Sequence, residues 1–271
     1  MKKRVVVTGM GVVTSLGSTL EEFWQGLKEG RSTVNRISYF DTSKFAVKIA
    51  AEIKNFQPEK FLTKKEIRRM HRVTWFTLAA AHSAIEDANL NLDKEDKSRI
   101  GVILGTGVGG VDFLVDSYKL LLEKGPKAIS PYMIPLMMPN AIAGEVAIKF
   151  GLTGMNFTIN SACASSANAI GQAFLEIQRG NANIIITGGS ESVIHPITIV
   201  GFENMRALSQ RNDQPEKASR PFDKNRDGFV IGEGAGIIVL EEINHALNRK
   251  AKIYGEIIGY GANDDAYHYA M

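Results

Sequence analysis

Four continuous apolar runs constrain this chain most: Arg4-Val-Val-Val-Thr8, Ile100-Gly-Val-Ile-Leu104, Asn183-Ile-Ile-Ile-Thr187 and Ala235-Gly-Ile-Ile-Val-Leu-Glu241. A strand with one wet face alternates apolar and polar residues, so an unbroken run demands cover on both faces. Helical patterns fill the gaps, at about 20–27, 73–89, 111–123, 141–150 and 164–179. Further strands are predicted at Val47–Ala51, Asn156–Ile159 and Lys252–Tyr260. Strands alternating with helices predict a layered α/β fold with at least some parallel pairs. Gly9 and Gly11 are read as turning the chain out of the first strand, and Gly188-Gly189 as closing the third run. Ser18 or Thr19 is placed to cap the first helix, which Gly30 stops, and Thr63-Lys-Lys-Glu66 matches a capping box. Residues 126–140, rich in Pro and Met, read as an irregular pocket wall.

The chain has 271 residues, 44% of them hydrophobic and 23% charged, an ordinary globular composition rather than a disordered one. A net charge of +3 is too small an excess to imply a nucleic-acid partner. Met1-Lys-Lys-Arg4 precedes an apolar run, but Thr8, Gly9 and Gly11 interrupt it, and a secretory segment needs roughly 7–15 apolar residues. No window approaches the ~20 apolar residues of a membrane helix, so no membrane partner is expected. One cysteine, Cys163, rules out an internal disulfide and fits a reducing, cytoplasmic compartment.

That cysteine lies in Asn160-Ser-Ala-Cys163-Ala-Ser-Ser166, between a predicted strand and an alanine-rich helix. There, unpaired N–H groups and the helix dipole favour a thiolate, and small neighbours admit a substrate carbonyl. By position alone, a buried cysteine serving as a small hydrophobe is an equal alternative.

Ser161-Ala-Cys163-Ala-Ser-Ser166 resembles the nucleophile motif of the β-ketoacyl-acyl carrier protein synthases, specifically the chain-elongating type II enzymes. Further segments resemble that family in its order. They are Arg4–Thr14, Gly188-Gly-Ser-Glu191, Arg206–Asp213, Arg220–Gly236 and Gly259–His268. The resemblance implies a thiolase-like fold of two similar α/β halves, layered α-β-α-β-α. Residues 1–250 would form the first half and 251–271 the opening of the second. It implies a decarboxylative condensation in fatty-acid synthesis. Cys163 takes an acyl group from a carrier-protein thioester, and its own N–H is half of the oxyanion hole. A malonyl unit on a second carrier protein then loses carbon dioxide, and its carbanion attacks the acyl-enzyme. No cofactor is implied, and a homodimer is expected. The family's two catalytic histidines, a lysine and a gating phenylalanine belong to its second half. None of His71, His82, His195, His245 or His268 sits in such a motif, so this chain is expected to be a fragment without the decarboxylating groups.

The same resemblance assigns Val108, Met133 and Phe202 to the acyl pocket, with Val108 able to limit chain length. Met133, Met137 and Met138 fit a tunnel lining and a core filling equally. Lys64, Lys65, Arg68 and Arg69, with Arg206, are assigned to carrier-protein docking, and spacing places residues 65, 68, 69 and 72 on one helical face. Apart from the resemblance, a solvated basic face is the plainer reading of that helix.

Gly105-Thr-Gly-Val-Gly-Gly110 fits the dinucleotide pattern G-x-G-x-x-G, but no acidic residue ends a second strand about 20 residues on. A dinucleotide-binding oxidoreductase is therefore the weaker rival, beside a non-catalytic partner subunit, which would lack the cysteine. Asp223–Gly228 imitates a calcium loop but has Gly234 where a glutamate is required. No metal is expected. Arg220, Asp223, Asp227 and Glu233 are read instead as one hydrogen-bonded brace beneath the site.

Overall fold

A computed structural model describes residues 2–267. Eight strands are formed: β1 (Val5–Val13), β2 (Asn35–Arg36), β3 (Ile49–Ala50), β4 (Ile100–Gly105), β5 (Asn156–Ile159), β6 (Ile184–Glu191), β7 (Gly234–Glu242) and β8 (Gly255–Ile257). The α-helices are α1 (Leu20–Lys28), α2 (Lys64–Arg69), α3 (Arg72–Asp87), α4 (Val111–Lys124), α5 (Met133–Met137), α6 (Ala141–Phe150), α7 (Ser165–Arg179), α8 (Pro196–Asn204) and α9 (Ile243–Asn248).

Six strands make one sheet in the order β5-β4-β6-β7-β1-β8. β5, β4 and β6 are parallel, while β7 runs antiparallel to both β6 and β1. The apolar runs become the central strands because helices cover both faces. Ile100, Val102 and Leu104 of β4 share a core with α3 and α6, while Ile103 turns to the opposite core with Ala169, Phe174 and Ile177 of α7. Ile184 and Ile186 likewise face α3, and Ile185 faces α7. Each such isoleucine removes a full side chain from water, worth about 2 kcal/mol. A third cluster, around Ile49, Val193, Ile199 and Ile231, lies beyond the strand ends and carries Val108 and Phe202 at its margin.

Several details depart from the sequence reading, among them a strand at 47–51 that shortens to Ile49–Ala50 and a helix, α5, inside the segment 126–140 read as irregular. β1 does not turn at Gly9 and Gly11 but runs through both to Val13, with a register shift between Val7 and Gly9. The glycines serve a close approach instead. A Cβ on Gly9 would lie 2.2 Å from Ala84 O, and one on Gly11 would lie 2.0 Å from Ala80 O. The alanine-rich stripe of α3 is thus pressed onto β1 backbone to backbone. β6 likewise passes through Gly188 and Gly189, since both pair with β4 and with β7. The predicted strand at 252–260 shortens to Gly255–Ile257, held on the outside of β1.

The proposed brace is also not one structure. Glu233 accepts from Arg72, Tyr39 and Ser192, Asp227 accepts from Ser209, and Arg220 bonds the Lys217 carbonyl. Asp223 serves a local turn through Asn225 N–H. Residues close in sequence here point to different neighbours because the loop from 205 to 233 is irregular, broken by turns and one short 3-10 segment.

Gly11→Ala places its new methyl against the Ala80 carbonyl, which cannot move without shifting α3. A loss of about 3 kcal/mol is expected from such overpacking, read as a lower urea midpoint. An unchanged midpoint would mean that α3 can withdraw from the sheet.

Candidate active site

Three segments converge where β4, β5 and β6 end, two of them glycine-rich. β5 leads into the turn 160–164, and α7 starts two residues after Cys163, at Ser165. Ala162 adopts φ 50°, a left-handed conformation that costs a non-glycine residue about 1 kcal/mol. The turn offsets that strain with its own hydrogen bonds. Ser165 Oγ accepts from Ser161 N–H at 2.8 Å and donates to Ala162 O at 2.6 Å. Ala164 and Ser165 N–H donate to Ser161 O (3.2 Å) and Ala162 O (3.1 Å). Cys163 itself is exposed, and its N–H has no hydrogen-bond partner among the described residues. An exposed thiol beside a free N–H, two residues before a 15-residue helix, lies near the positive end of that helix's dipole. The inert-core alternative for Cys163 is thereby overturned.

Two neighbours fix the turn from outside. Asn160 Nδ2 donates to Gly107 O at 2.9 Å, and Asn168 Nδ2 donates to Ser161 Oγ at 2.7 Å. Tyr260 then donates to Asn168 Oδ1 at 2.7 Å, with its ring laid over Gly171 of α7. The strand ends themselves abut α7. A Cβ at Gly105 would lie 2.4 Å from Ser165 carbonyl atoms, which explains glycine at that position.

The G-x-G-x-x-G segment is not a phosphate cradle. Gly107 and Val108 N–H both donate to Glu191 Oε2, at 2.8 and 2.9 Å, and Thr106 Oγ1 donates to Oε1 at 3.2 Å. An incoming phosphate would meet a carboxylate there, which disfavours the dinucleotide reading.

Val108 and Phe202 pack against the same apolar cluster, with Phe202 edge-on to Phe229 at 5.2 Å. Met133 is on α5 and is not among the side chains packed there. The histidines take no part in the Cys163 turn. His71 faces Asp112 (3.0 Å), His82 faces Glu86 (3.2 Å) and His195 faces Asp116 (3.4 Å). His245 lies between Glu241 (2.6 Å) and Glu95 (3.0 Å). His268 lies outside the described residues.

The basic face divides. Lys64, Lys65, Arg68 and Arg69 are exposed on α2, with Arg69 stacked over the Tyr132 ring at 4.6 Å. Arg72 does not share their face, because α2 ends at Arg69 and Arg72 opens α3. It turns inward to Glu233 (2.9 Å), Tyr39 OH (2.8 Å) and Ile53 O (2.6 Å). Burial pushes the Glu233 carboxyl up, but bonds from Arg72 and Tyr39 outweigh it and hold it below its usual value. Arg206 is exposed just beyond α8, at φ 55°.

Sequence reasoning gave no role to Glu191, Ser165, Asn168 or Tyr260. For Glu191 a signal existed, a lone carboxylate ending a strand that is otherwise uncharged. For Ser165 and Asn168, small polar residues in a helix start carry no such mark, and Tyr260 lies in irregular chain beyond β8.

Over residues 2–246 the chain matches the family described as Beta-ketoacyl synthase, N-terminal domain. The chain belongs to the β-ketoacyl synthase family. The 3-oxoacyl-[acyl-carrier-protein] synthase 2 of Synechocystis is 50% identical over 98% of this chain. A β-ketoacyl synthase from Burkholderia phymatum is 38% identical and superposes with a TM-score of 0.88, over 98% of this chain and 65% of that one. A type II polyketide ketosynthase solved with its acyl-carrier protein, AntDE:AntF, is 26% identical with a TM-score of 0.77, over 95% of this chain and 67% of that one. The chain spans 64% of the length of the Synechocystis relative. The α/β architecture is therefore that of the thiolase-like ketosynthases.

The capping box of α2 is formed on both sides, Glu66 N–H to Thr63 and Thr63 N–H to Glu66. Partial burial raises the Glu66 carboxyl, but Lys149 at 2.8 Å and the Thr63 N–H prevail, lowering it from 4.5 to about 2. Its stabilisation is therefore present above about pH 4.5 and lost as pH falls towards 2. Against Glu66→Gln, the wild type is expected to lose about 1 kcal/mol over that window after solvent screening, read from urea midpoints. Parallel acid dependence of the two proteins would contradict it.

Proposed function

We propose that this chain carries the acyl-accepting centre of a 3-oxoacyl carrier-protein synthase. The observation that carries the reading is the exposed Cys163 beside its unpartnered N–H at the start of α7. The Cys163 thiolate attacks the carbonyl of an acyl thioester on a carrier protein. The tetrahedral oxyanion accepts the Cys163 N–H, a donor preorganised by the strained turn. Collapse expels the carrier thiolate and leaves an acyl-cysteine. In the second half of the reaction, a malonyl unit on another carrier protein loses carbon dioxide, and its carbanion attacks this acyl group. No described histidine bonds a residue of the Cys163 turn, so the decarboxylating step is assigned to none of them.

Val108 and Phe202 are proposed to line the acyl pocket, supported by their shared cluster. Met133 keeps the weaker claim. Lys64, Lys65, Arg68, Arg69 and Arg206 are proposed as the face that receives the acidic carrier protein. Their exposure supports it, as does the carrier complex of the AntDE ketosynthase. Residues 1–250 are proposed as the nucleophile-bearing half and 251–271 as the start of the second, a boundary supported by the extent of the family match. A homodimer is proposed, for which the unpaired edge of β5, with Phe157 37% exposed, offers a pairing surface. No helix among the described residues is long and apolar enough to cross a membrane. A cytoplasmic site of action is proposed from the unpaired cysteine. A non-catalytic partner subunit is the lesser reading, because it has no use for an exposed nucleophile.

Incubation with acyl-carrier thioester followed by mass spectrometry is expected to give one acyl adduct, on Cys163, and none on Cys163→Ala. A folded wild type without adduct would sink the proposal. Charge reversal at Lys64, Lys65 and Arg68 is expected to weaken carrier-protein binding roughly tenfold at low salt, and less as salt rises. Salt-independent affinity in both proteins would remove α2 from the docking face.

A further inference from the structure

At the end of β6 a carboxylate stands without a cation. Residues 184–190 of that strand are all buried, Glu191 follows them, and no ion pair among the described residues includes it. Its neighbour across β7, Gly234, is followed back along the chain by Glu233, and that carboxylate is taken up by Arg72, Tyr39 and Ser192. The charge of Glu191 is answered instead by the loop between β4 and α4. Oε2 accepts the Gly107 and Val108 N–H groups, and Oε1 accepts Thr106 Oγ1, which itself accepts Gly109 N–H at 3.3 Å. Gly110, the N-cap of α4, has no side chain to cap the helix. Glu191 thus fills, from within the protein, the anion site that such a loop and helix start would otherwise offer a ligand.

The held loop touches both parts of the proposed reaction centre. Gly107 O receives Asn160 Nδ2 from the nucleophile turn, and a Cβ on Gly107 would lie 3.4 Å from Ala162 O. Val108, the next residue, packs against the cluster that also carries Phe202. A pocket wall discriminates chain length only if it does not yield, since one methylene against a fixed surface changes discrimination by about 10–200-fold. Val108 has a small side chain on a loop whose other residues are Thr and Gly. Its rigidity has to come from elsewhere, and the Glu191 carboxylate is what grips it.

We propose that Glu191 is a positioning residue for acyl-chain selectivity: by anchoring residues 106–109 it fixes the wall at Val108 relative to Cys163. This rests on the acyl-cysteine reading above. It assigns Glu191 no contact with substrate and no proton transfer.

The test compares initial rates of Cys163 acylation by short-chain and long-chain acyl carrier proteins, in wild type, Glu191→Ala, Val108→Ala and the double variant. Glu191→Ala is expected to move the short-to-long rate ratio roughly tenfold, while iodoacetamide labelling of Cys163 stays at the wild-type rate. The double variant is expected to match Val108→Ala alone, because a residue that acts only through Val108 has nothing left to act on. A merely structural loss would lower all rates together and leave the ratio intact. A wild-type ratio in Glu191→Ala, or effects of the two substitutions that multiply, would overturn the proposal. If Glu191→Ala does not fold, Glu191→Gln, which keeps one accepting oxygen without the charge, is expected to shift the ratio in the same direction by a smaller factor. A wild-type ratio there overturns the proposal equally. A wild type acylated by no thioester would overturn the acyl-cysteine reading and this inference with it, whereas an acylated wild type with an indifferent Glu191→Ala overturns this inference alone.

Discussion

The site depends on how closely backbone can approach backbone at the ends of β4 and β6. Gly105 and Gly189 have no side chains, so the first turn of α7 sits directly on the strand ends, with Ser166 Oγ 2.9 Å from where a Gly189 Cβ would be. That contact sets the height of α7 over the sheet and therefore the place where β5 must hand over to it. The hand-over is short, so the chain takes a left-handed step at Ala162. Cys163 is the residue pushed outward by that step. Its exposure and its free N–H are two results of one constraint.

Carboxylates with little access to water hold the loops around this frame. Glu52 accepts from Ser38 and Tyr39 backbone N–H groups, Glu191 from the 106–108 loop, and Glu233 from Tyr39, Ile53 N–H, Arg72 and Ser192, between 41 and 194 residues away in sequence. Glu241, fully buried, takes two bonds from Arg249 and one from His245. Burying a charge is costly, and such groups stabilise only when every lone pair finds a donor. Here the donors are backbone N–H groups, hydroxyls, an imidazole and guanidinium forks, so each carboxylate ties separate segments together. Arg72 shows the same logic from the cationic side. It joins Glu233, Tyr39 and the Ile53 carbonyl, and its guanidinium also lies over the Phe76 ring at 4.7 Å.

Much of the fold was legible in sequence because burial on both faces leaves a plain mark. An unbroken run such as Ile184-Ile-Ile has no solvent-facing alternative, and α6 and β5 begin and end where their patterns do. The glycines misled at β1 because the same residue serves turns and close approaches, and only the partner surface, here the alanines of α3, distinguishes them. Arg72 misled for a similar reason. Helical spacing placed it with Arg68 and Arg69, but a break at Met70 and His71 starts a new helix and reverses which way it faces.

The sequence by itself determined the covered sheet, the nucleophile motif between a strand and a helix, and the family these motifs belong to, since apolar periodicity and ordered local motifs are properties of neighbouring residues. Tertiary structure alone decided that Cys163 is exposed rather than packed, that Glu191 occupies the glycine-rich loop, and that Arg72 serves the interior. The first depends on backbone packing between segments tens of residues apart and the other two on hydrogen bonds over like separations, and chain spacing carries no record of which groups will meet.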